Sequence, residues 1–243
     1  MRNLILFLLC FPLCAYSQMS IKIGASAGLL YSHPVFKVHD QSPGSSIFKR
    51  YGDETLSGWG AFYSLNCILF KRKWLFETGI VHTTSVYRSI PKNLRFGDRI
   101  DEQFGFVQTS APVDYVELKF VFNNIRIPVL LGYAFTLSQN KRHKLIPQLG
   151  VSNNLLYKVQ NELLTNYTDG SRRKEYPSGN QSVYKAYSVS ALGGLTYMYE
   201  IKRLGIAATC FFNQYLTPTA LYSDVTEYEY FGTAKIGVFY TLY

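Results

Sequence analysis

Apolar and polar residues alternate with a period of two along much of this chain, which is the pattern of half-exposed β-strands. The alternation is most regular over residues 58–70, 125–135 and 204–213. In the first segment Trp59 and Leu65 share an apolar face, while the opposite face includes Ser64 and Asn66. Five further segments with this pattern lie near residues 20–31, 74–87, 144–157, 184–199 and 231–243. The sequence therefore predicts eight strands.

The links between these predicted strands alternate in length. Three are short, at residues 71–73, 138–143 and 200–203. Four are long, at about residues 32–55, 88–114, 158–183 and 217–230. Outer-membrane barrels have this asymmetry, with short periplasmic turns and longer extracellular loops.

Charged residues are scarce in the predicted strands. Five segments contain no Asp, Glu, Lys or Arg: residues 56–70, 127–140, 145–157, 186–199 and 204–223. A soluble barrel needs ionised groups on its wet outer face, whereas a charge that faces lipid at the bilayer midplane costs about 2–4 kcal/mol. We therefore predict an all-β fold, an eight-stranded antiparallel up-and-down transmembrane β-barrel in which strand one pairs with strand eight. The predicted lipid-facing residues are Trp59, Leu65, Ile127, Val129, Leu131, Ile206, Phe212, Ile236 and Val238. A soluble, lipocalin-like periplasmic binding barrel is the alternative.

Composition supports a barrel and excludes other classes. Only 17% of the 243 residues are charged and 16% are aromatic, whereas a disordered chain has few aromatic residues. Many of the rings lie near predicted strand ends, so we expect two aromatic belts at the membrane interfaces. The extracellular belt should contain Tyr31, Trp59, Tyr87, Tyr157, Tyr187 and Tyr215. The net charge of +9 comes mostly from dispersed turn and loop residues, so nucleic acid is not an expected partner.

The first residues predict export. Arg2 precedes an apolar run over residues 4–13, and Ala15-Tyr16-Ser17 provides a small-x-small exit. This is the arrangement of a secretory signal. We expect cleavage after Ser17, with a signal peptide over residues 1–17 and a barrel domain over residues 18–243. No later run reaches 18 apolar residues, which excludes membrane-spanning helices.

Catalytic chemistry has little support in the sequence. No hydrolase, phosphate-loop or metal-binding motif occurs. His82 is the one histidine within a predicted strand, and strand alternation places it opposite Glu77. We therefore predict no enzyme activity, no cofactor and no metal site. Cys67 and Cys210 fall on separated strands, too far apart for a disulfide.

Three charged residues are predicted to face the barrel interior. These are Glu77, Arg126 and Lys235, and a buried charge must find a partner. We predict a structural ion pair between Glu77 and Arg126, with Lys235 joining it. Because eight strands leave room only for side chains, a filled lumen is expected, and a gated ion path is the alternative.

One segment resembles a known family. Residues 115–133, with the core Ile127-Pro128-Val129-Leu130-Leu131, resemble the "YLEIPLLLKY" strand of the PorT-like outer-membrane β-barrel family. Residues 17–18, 76–80, 147–150 and 235–240 look like the same family. The resemblance implies an eight-stranded barrel in the outer membrane of a Gram-negative bacterium. The resemblance seldom implies an activity, although the founding member of the family is linked to protein export by the type IX secretion route.

These observations predict a non-enzymatic integral outer-membrane protein with a structural or interaction role through its extracellular loops. An accessory role in type IX-like secretion or in small-solute transport is the alternative. Expected partners are outer-membrane lipid and an unidentified protein. Basic loop residues could hold the phosphates of lipopolysaccharide or could simply be solvated; they are Lys49, Arg50, Arg88, Lys92, Arg95, Arg99, Arg172, Arg173 and Lys174.

Overall fold

The computed structural model of the chain describes residues 19–38, 55–56, 58–89, 113–176, 184–221 and 225–242. The predicted signal segment, Tyr243 and the basic residues at positions 49, 50, 92, 95 and 99 lie outside this described part. The strands are β1 (Met19–Val38), β2 (Thr55–Leu56), β3 (Gly58–Lys71), β4 (Trp74–Ser89), β5 (Val113–Tyr133), β6 (Phe135–Thr136), β7 (His143–Tyr167), β8 (Arg172–Glu175), β9 (Tyr187–Ile201), β10 (Leu204–Tyr215), β11 (Ala220–Leu221) and β12 (Val225–Thr241). The described residues contain no helix that is long and apolar enough to cross a bilayer.

Eight long strands of the described residues form a closed antiparallel ring. Their order is β1-β3-β4-β5-β7-β9-β10-β12, and β12 pairs back onto β1. This closing ladder is in continuous register from Lys22↔Thr241 to Val38↔Val225. The predicted pairing of the first strand with the last is therefore confirmed. Closure matters in lipid because every unpaired backbone group there costs several kcal/mol.

The three short connections lie at one end of the ring, as predicted. Arg72 joins β3 to β4, Lys141 lies between β5 and β7, and Lys202 joins β9 to β10. Each of these residues has a positive φ, of 57°, 57° and 54° respectively. Left-handed backbone at the tip of a tight hairpin matches the twist of the flanking strands.

The strands at the opposite end are longer than predicted. Residues 32–38, 113–114, 158–167 and 225–230, expected in the long loops, are strands, and β5 also includes residues 115–124, which lie between the predicted loop and the strand predicted over residues 125–135. The loop assignment was wrong because a strand that projects into water can carry polar residues on both faces, which removes the period-two signal. The opposite error occurs at residues 184–186, which precede β9 although they were expected within it.

A β-bulge marks the point where the barrel wall passes into this projecting part. Asn123 pairs with Lys158, whereas the next residue, Asn124, pairs with Leu156. Tyr157 is therefore the extra residue on β7. Tyr157 and Lys158 are both exposed, so the inside and outside positions of β7 exchange at this point, as a bulge requires.

The two faces of the wall differ as predicted. All nine residues predicted to face lipid are exposed on the outer face. The buried inner face includes neutral polar side chains such as Ser26, Asn66 and Thr209. Two residues of the predicted extracellular belt are exceptions, since Tyr87 and Tyr215 are buried inside the ring. Their positions near strand ends suggested the belt, but strand phase turns them inward.

Candidate functional site

The periplasmic end of the lumen is closed by apolar side chains and one charged triad. Lys22 and Lys144 both form ion pairs with Glu200, and the Lys144 Nζ–Glu200 Oε2 distance is 2.8 Å. The two ammonium groups lie 5.2 and 5.0 Å from the centroid of the Phe70 ring. Phe70 belongs to a buried apolar cluster whose other members are Ile68, Leu75, Ala134, Ile146, Met198, Ala207 and Phe239. The triad was not predicted from the sequence, because Glu200 lies in a predicted turn and Lys144 is the first residue of a predicted strand, beside another turn.

A polar chain crosses the middle of the lumen. The Glu77 carboxylate accepts hydrogen bonds from Lys235 Nζ at 3.1 Å and from Gln148 Nε2 at 2.9 Å. Gln148 Oε1 in turn accepts a bond from Thr196 Oγ1 at 2.6 Å. Glu77 is only 3% exposed. Both carboxylate oxygens therefore have donors, which is the condition under which a buried charge is tolerated.

Arg126 is not the ion-pair partner of Glu77. Glu77 pairs in register with Leu130, whereas Arg126 pairs with Val81, four residues further toward the extracellular end. That offset is about 13 Å along a strand, so Lys235 takes the role predicted for Arg126. The Arg126 guanidinium lies 4.0 Å from the Phe231 ring centroid. Its Nε and Nη2 atoms are buried without a hydrogen-bond partner.

Small cavities interrupt the packing of the lumen. One, of about 50 Å³, lies between Arg126 and Lys235. Another, of about 20 Å³, lies near the extracellular end beside Tyr87 and Glu229. Such volumes hold a few waters, whereas pockets for small-molecule ligands measure about 300–1,000 Å³. The described lumen is therefore filled by side chains.

Because the lumen is filled, the protein should not conduct ions steadily. In planar bilayers, we expect insertion of the refolded chain without a stable open level, while a porin added afterwards as a control conducts. A large, long-lived conductance that belongs to this chain would contradict the filled lumen and favour the gated ion path.

A three-stranded extension rises from one side of the barrel above the bulge. We define the extracellular extension as residues 113–123 of β5 and residues 158–176, which include the end of β7 and all of β8. Its paired strands continue from Asn123↔Lys158 to Val113↔Tyr167, roughly 30 Å at the usual rise per residue. β8 pairs with β7 from Leu163↔Glu175 to Asn166↔Arg172. Among the described residues β8 has no partner strand other than β7.

Ion pairs cross the surface of the extracellular extension. Glu162 lies 2.7 Å from Lys174 Nζ and 3.5 Å from Lys119 Nζ. Arg173 Nε lies 2.7 Å from Glu175. The extension carries five basic and five acidic residues, so it has no net charge. Three of the basic residues predicted to hold lipopolysaccharide phosphates, Arg88, Arg173 and Lys174, are therefore already paired with carboxylates.

The Glu162 pair makes a specific prediction about pH. The hydrogen bond from Lys174 holds the pKa of the Glu162 carboxyl below its ordinary value. Since the folded-state pKa is depressed, the pair stabilises the extension at neutral pH, and this contribution is lost as pH falls through the folded-state pKa.

We expect the side-chain carboxyl signal of Glu162, followed by NMR in detergent micelles, to titrate below the range of an ordinary glutamate. Lys174→Met should move the midpoint upward, whereas Lys202→Met at a distant turn should leave it unchanged. An equal midpoint in Lys174→Met and the native chain would show that this hydrogen bond does not form.

His82 lies on the outer face, among aromatic rings. Its Nε2 lies 2.6 Å from the Tyr157 hydroxyl, and its ring stacks on Tyr63 at 4.7 Å between centroids. Glu77 faces the lumen on the other side of the wall. In the part of the chain that the structure describes, no three His, Cys, Asp or Glu side chains cluster to hold a metal ion. Cys67 and Cys210 are free thiols, as their separate strands predicted.

The geometry defines the class of protein. A closed ring of eight antiparallel strands with an apolar outer face, a filled interior, short turns at one end and long connections at the other is a transmembrane β-barrel.

Comparison with known proteins adds neither a family nor an activity. No protein-family model matches the chain, and no curated protein matches it. Among similar solved structures, OprG of Pseudomonas aeruginosa aligns with a TM-score of 0.45 and 13% identity over 93% of this chain and 98% of OprG. Neisserial surface protein A aligns with a TM-score of 0.38 and 14% identity over 92% of this chain and 99% of that protein. The outer-membrane protease OmpT of Escherichia coli aligns with a TM-score of 0.39 and 9% identity over 92% of this chain and 97% of OmpT.

Proposed function

We propose that this protein is a non-enzymatic integral outer-membrane barrel of a Gram-negative cell that binds a protein partner through its extracellular extension. The observation that carries the proposal is the extension itself. Three hydrogen-bonded strands project roughly 30 Å beyond the bulge, and ion pairs cross them. A rigid, solvent-facing sheet is suited to recognition, because little ordering entropy is lost on binding.

The charge of the extension favours a protein over an anionic lipid as partner. Equal numbers of basic and acidic residues give no net attraction for phosphate. β8 also presents a free edge within the described residues, and unpaired edge groups can accept a further strand. Contact with lipopolysaccharide stays a prediction for the basic residues outside the described part and for Arg172, whereas Arg88 pairs with Glu117 at 3.5 Å.

An accessory role in type IX-like secretion is the finer form of this proposal. It is supported by the resemblance of residues 115–133 to the PorT-like family. Such a role would make the partner a secretion component, and a transport role would instead require an open lumen.

The first test establishes location. We expect the protein to fractionate with outer membranes and to migrate differently on gels before and after heating, as folded barrels do. A soluble product without a migration shift would instead favour the lipocalin-like alternative.

The second test addresses the extension. A photo-crosslinking residue in place of Arg172 on β8 should give a discrete protein adduct in whole cells. The same residue in place of Lys202, at a turn on the opposite side of the membrane, is the control and should not give that adduct. Lack of any adduct along β8, or the same adduct at both ends, would contradict a role in recognition.

A further inference from the structure

Two glutamates are buried side by side at the extracellular mouth of the barrel. Glu227 and Glu229 are alternate residues of β12, so both point into the ring, and they are 6% and 5% exposed. Neither forms an ion pair with any described residue at 4 Å or less, although seven such pairs occur elsewhere in the described chain. Two buried carboxylates without ion-pair partners are costly unless something neutralises them.

An independent feature shows where a neutralising group would lie. The Tyr87 hydroxyl and Glu229 Oε1 are buried close to each other, and neither has a hydrogen-bond partner within 3.5 Å among the described residues. Both residues, together with Glu227, line the cavity of about 20 Å³. This volume is close to that of one water-sized particle. The unpartnered oxygens therefore surround a space for one small ion or one water.

The chemistry of the lining favours a hard cation. Asn124, Ser188 and Thr219 add neutral oxygen atoms to those of the two carboxylates and Tyr87. Histidine and cysteine are absent from the described lining, so the donors suit calcium rather than zinc or copper. The donors come from β4, β5, β9 and β12 and from the segment before β11, so one ion would link several strands across the mouth.

Two cationic side chains face the same region. Lys185 lines the cavity, and Arg126 lies below it, 5.9 Å from the ring of Tyr215, another lining residue. Neither Lys185 nor Arg126 forms an ion pair with Glu227 or Glu229, so both cations lie more than 4 Å from the two carboxylates. They reduce the negative potential of the site without occupying it, which is consistent with an affinity in the weak range of extracellular calcium modules, about 10⁻⁴–10⁻³ M.

We propose that Glu227 and Glu229 form a calcium-binding site at the extracellular mouth of the barrel, completed by the neutral oxygens of the cavity lining. The site shares only Phe122 of its described lining with the extracellular extension, and calcium binding does not depend on the partner of the extension. Its physical effect is to neutralise the two buried carboxylates and to tie the rims of several strands together.

The test uses the full mature chain refolded in detergent without lipopolysaccharide, so that calcium cannot act through lipid phosphates. Calcium is titrated from about 10 μM to about 10 mM after chelator treatment, and binding is followed by calorimetry and by the unfolding temperature. We expect saturable binding of one ion per chain and a higher unfolding temperature.

Matched variants separate this site from general charge effects. Glu229→Gln should weaken calcium binding by at least about tenfold, whereas Glu162→Gln on the extension should leave it unchanged. Tyr87→Phe keeps the ring and should weaken binding by a smaller factor, which preserves the test if Glu229→Gln does not fold.

Three outcomes would overturn the proposal. The first is the absence of saturable calcium binding, and the second is unchanged binding in both Glu229→Gln and Tyr87→Phe. The third is an unfolding temperature that rises when the pH is lowered but not when calcium is added. The last result would show that protons neutralise the pair.

Discussion

Glu77→Gln is expected to destabilise the barrel by about 3–5 kcal/mol, the usual cost of removing one partner of a buried ion pair. The native carboxylate accepts bonds from both Lys235 and Gln148. The substitution leaves the Lys235 ammonium, whose side chain is 11% exposed, without a negative partner. Urea unfolding in detergent, followed by the fluorescence of Trp59 and Trp74, measures the change.

Two further variants make this prediction specific. Glu162→Gln removes a carboxylate from exposed ion pairs and should cost no more than about 1 kcal/mol. Glu77→Gln combined with Lys235→Met removes both buried charges and should recover much of the lost stability, because an apolar replacement of a buried pair is often neutral. If Glu77→Gln behaves like Glu162→Gln, Glu77 does not stabilise the lumen.

Leu65→Arg is expected to cost about 2–4 kcal/mol when the barrel is folded in lipid vesicles. Leu65 is 69% exposed on the outer face and lies on β3 midway between Trp59 and the periplasmic turn. The long arginine side chain would have to place its charge in the hydrocarbon core. Equilibrium unfolding from vesicles measures the loss.

The control is Gln214→Arg, which is also outward and exposed but lies beyond Phe212 at the extracellular edge of β10. Its cost should be about 0–1 kcal/mol, because the cost of a charge falls near the interface. On a soluble barrel both positions would face water, and surface substitutions there change stability by only about 0.5 kcal/mol. Equal, small effects would therefore contradict the transmembrane assignment.

Much of the wall was predictable because its constraint is local. Each strand that faces lipid must alternate, so the phase of β3, β5, β10 and β12 can be read from neighbouring residues alone. The nine predicted lipid-facing residues are exposed for this reason. The scarcity of charge in the predicted strands also favoured lipid over water as the solvent of the outer face.

The errors occur where the constraint is not local. Residues 158–176 of the extracellular extension were predicted as loop because water permits polar residues on both faces of a strand, and the strand prediction for β5 began only at residue 125. Tyr87 and Tyr215 were placed in the belt by their closeness to strand ends, whereas strand phase places them inside.

The partner of Glu77 depends on the stagger between strands. Arg126 and Lys235 were both predicted to face inward, and alternation gave no reason to prefer Lys235. The register of β4 with β5 separates Glu77 from Arg126 by four residues, and ring closure brings β12 within reach of Glu77. The burial of Glu227 and Glu229 side by side at the mouth was not predicted either, because both residues lay in a predicted loop.

By itself, the sequence determined the class of fold, the number of barrel strands, their closure into a ring and the side of the wall that faces lipid. These follow from alternation and from the cost of charge or unpaired backbone in a bilayer. Only the tertiary structure decided which buried charges meet, how far the strands continue into water and where unpartnered oxygens converge. These depend on stagger and closure, which join residues more than a hundred positions apart in the chain.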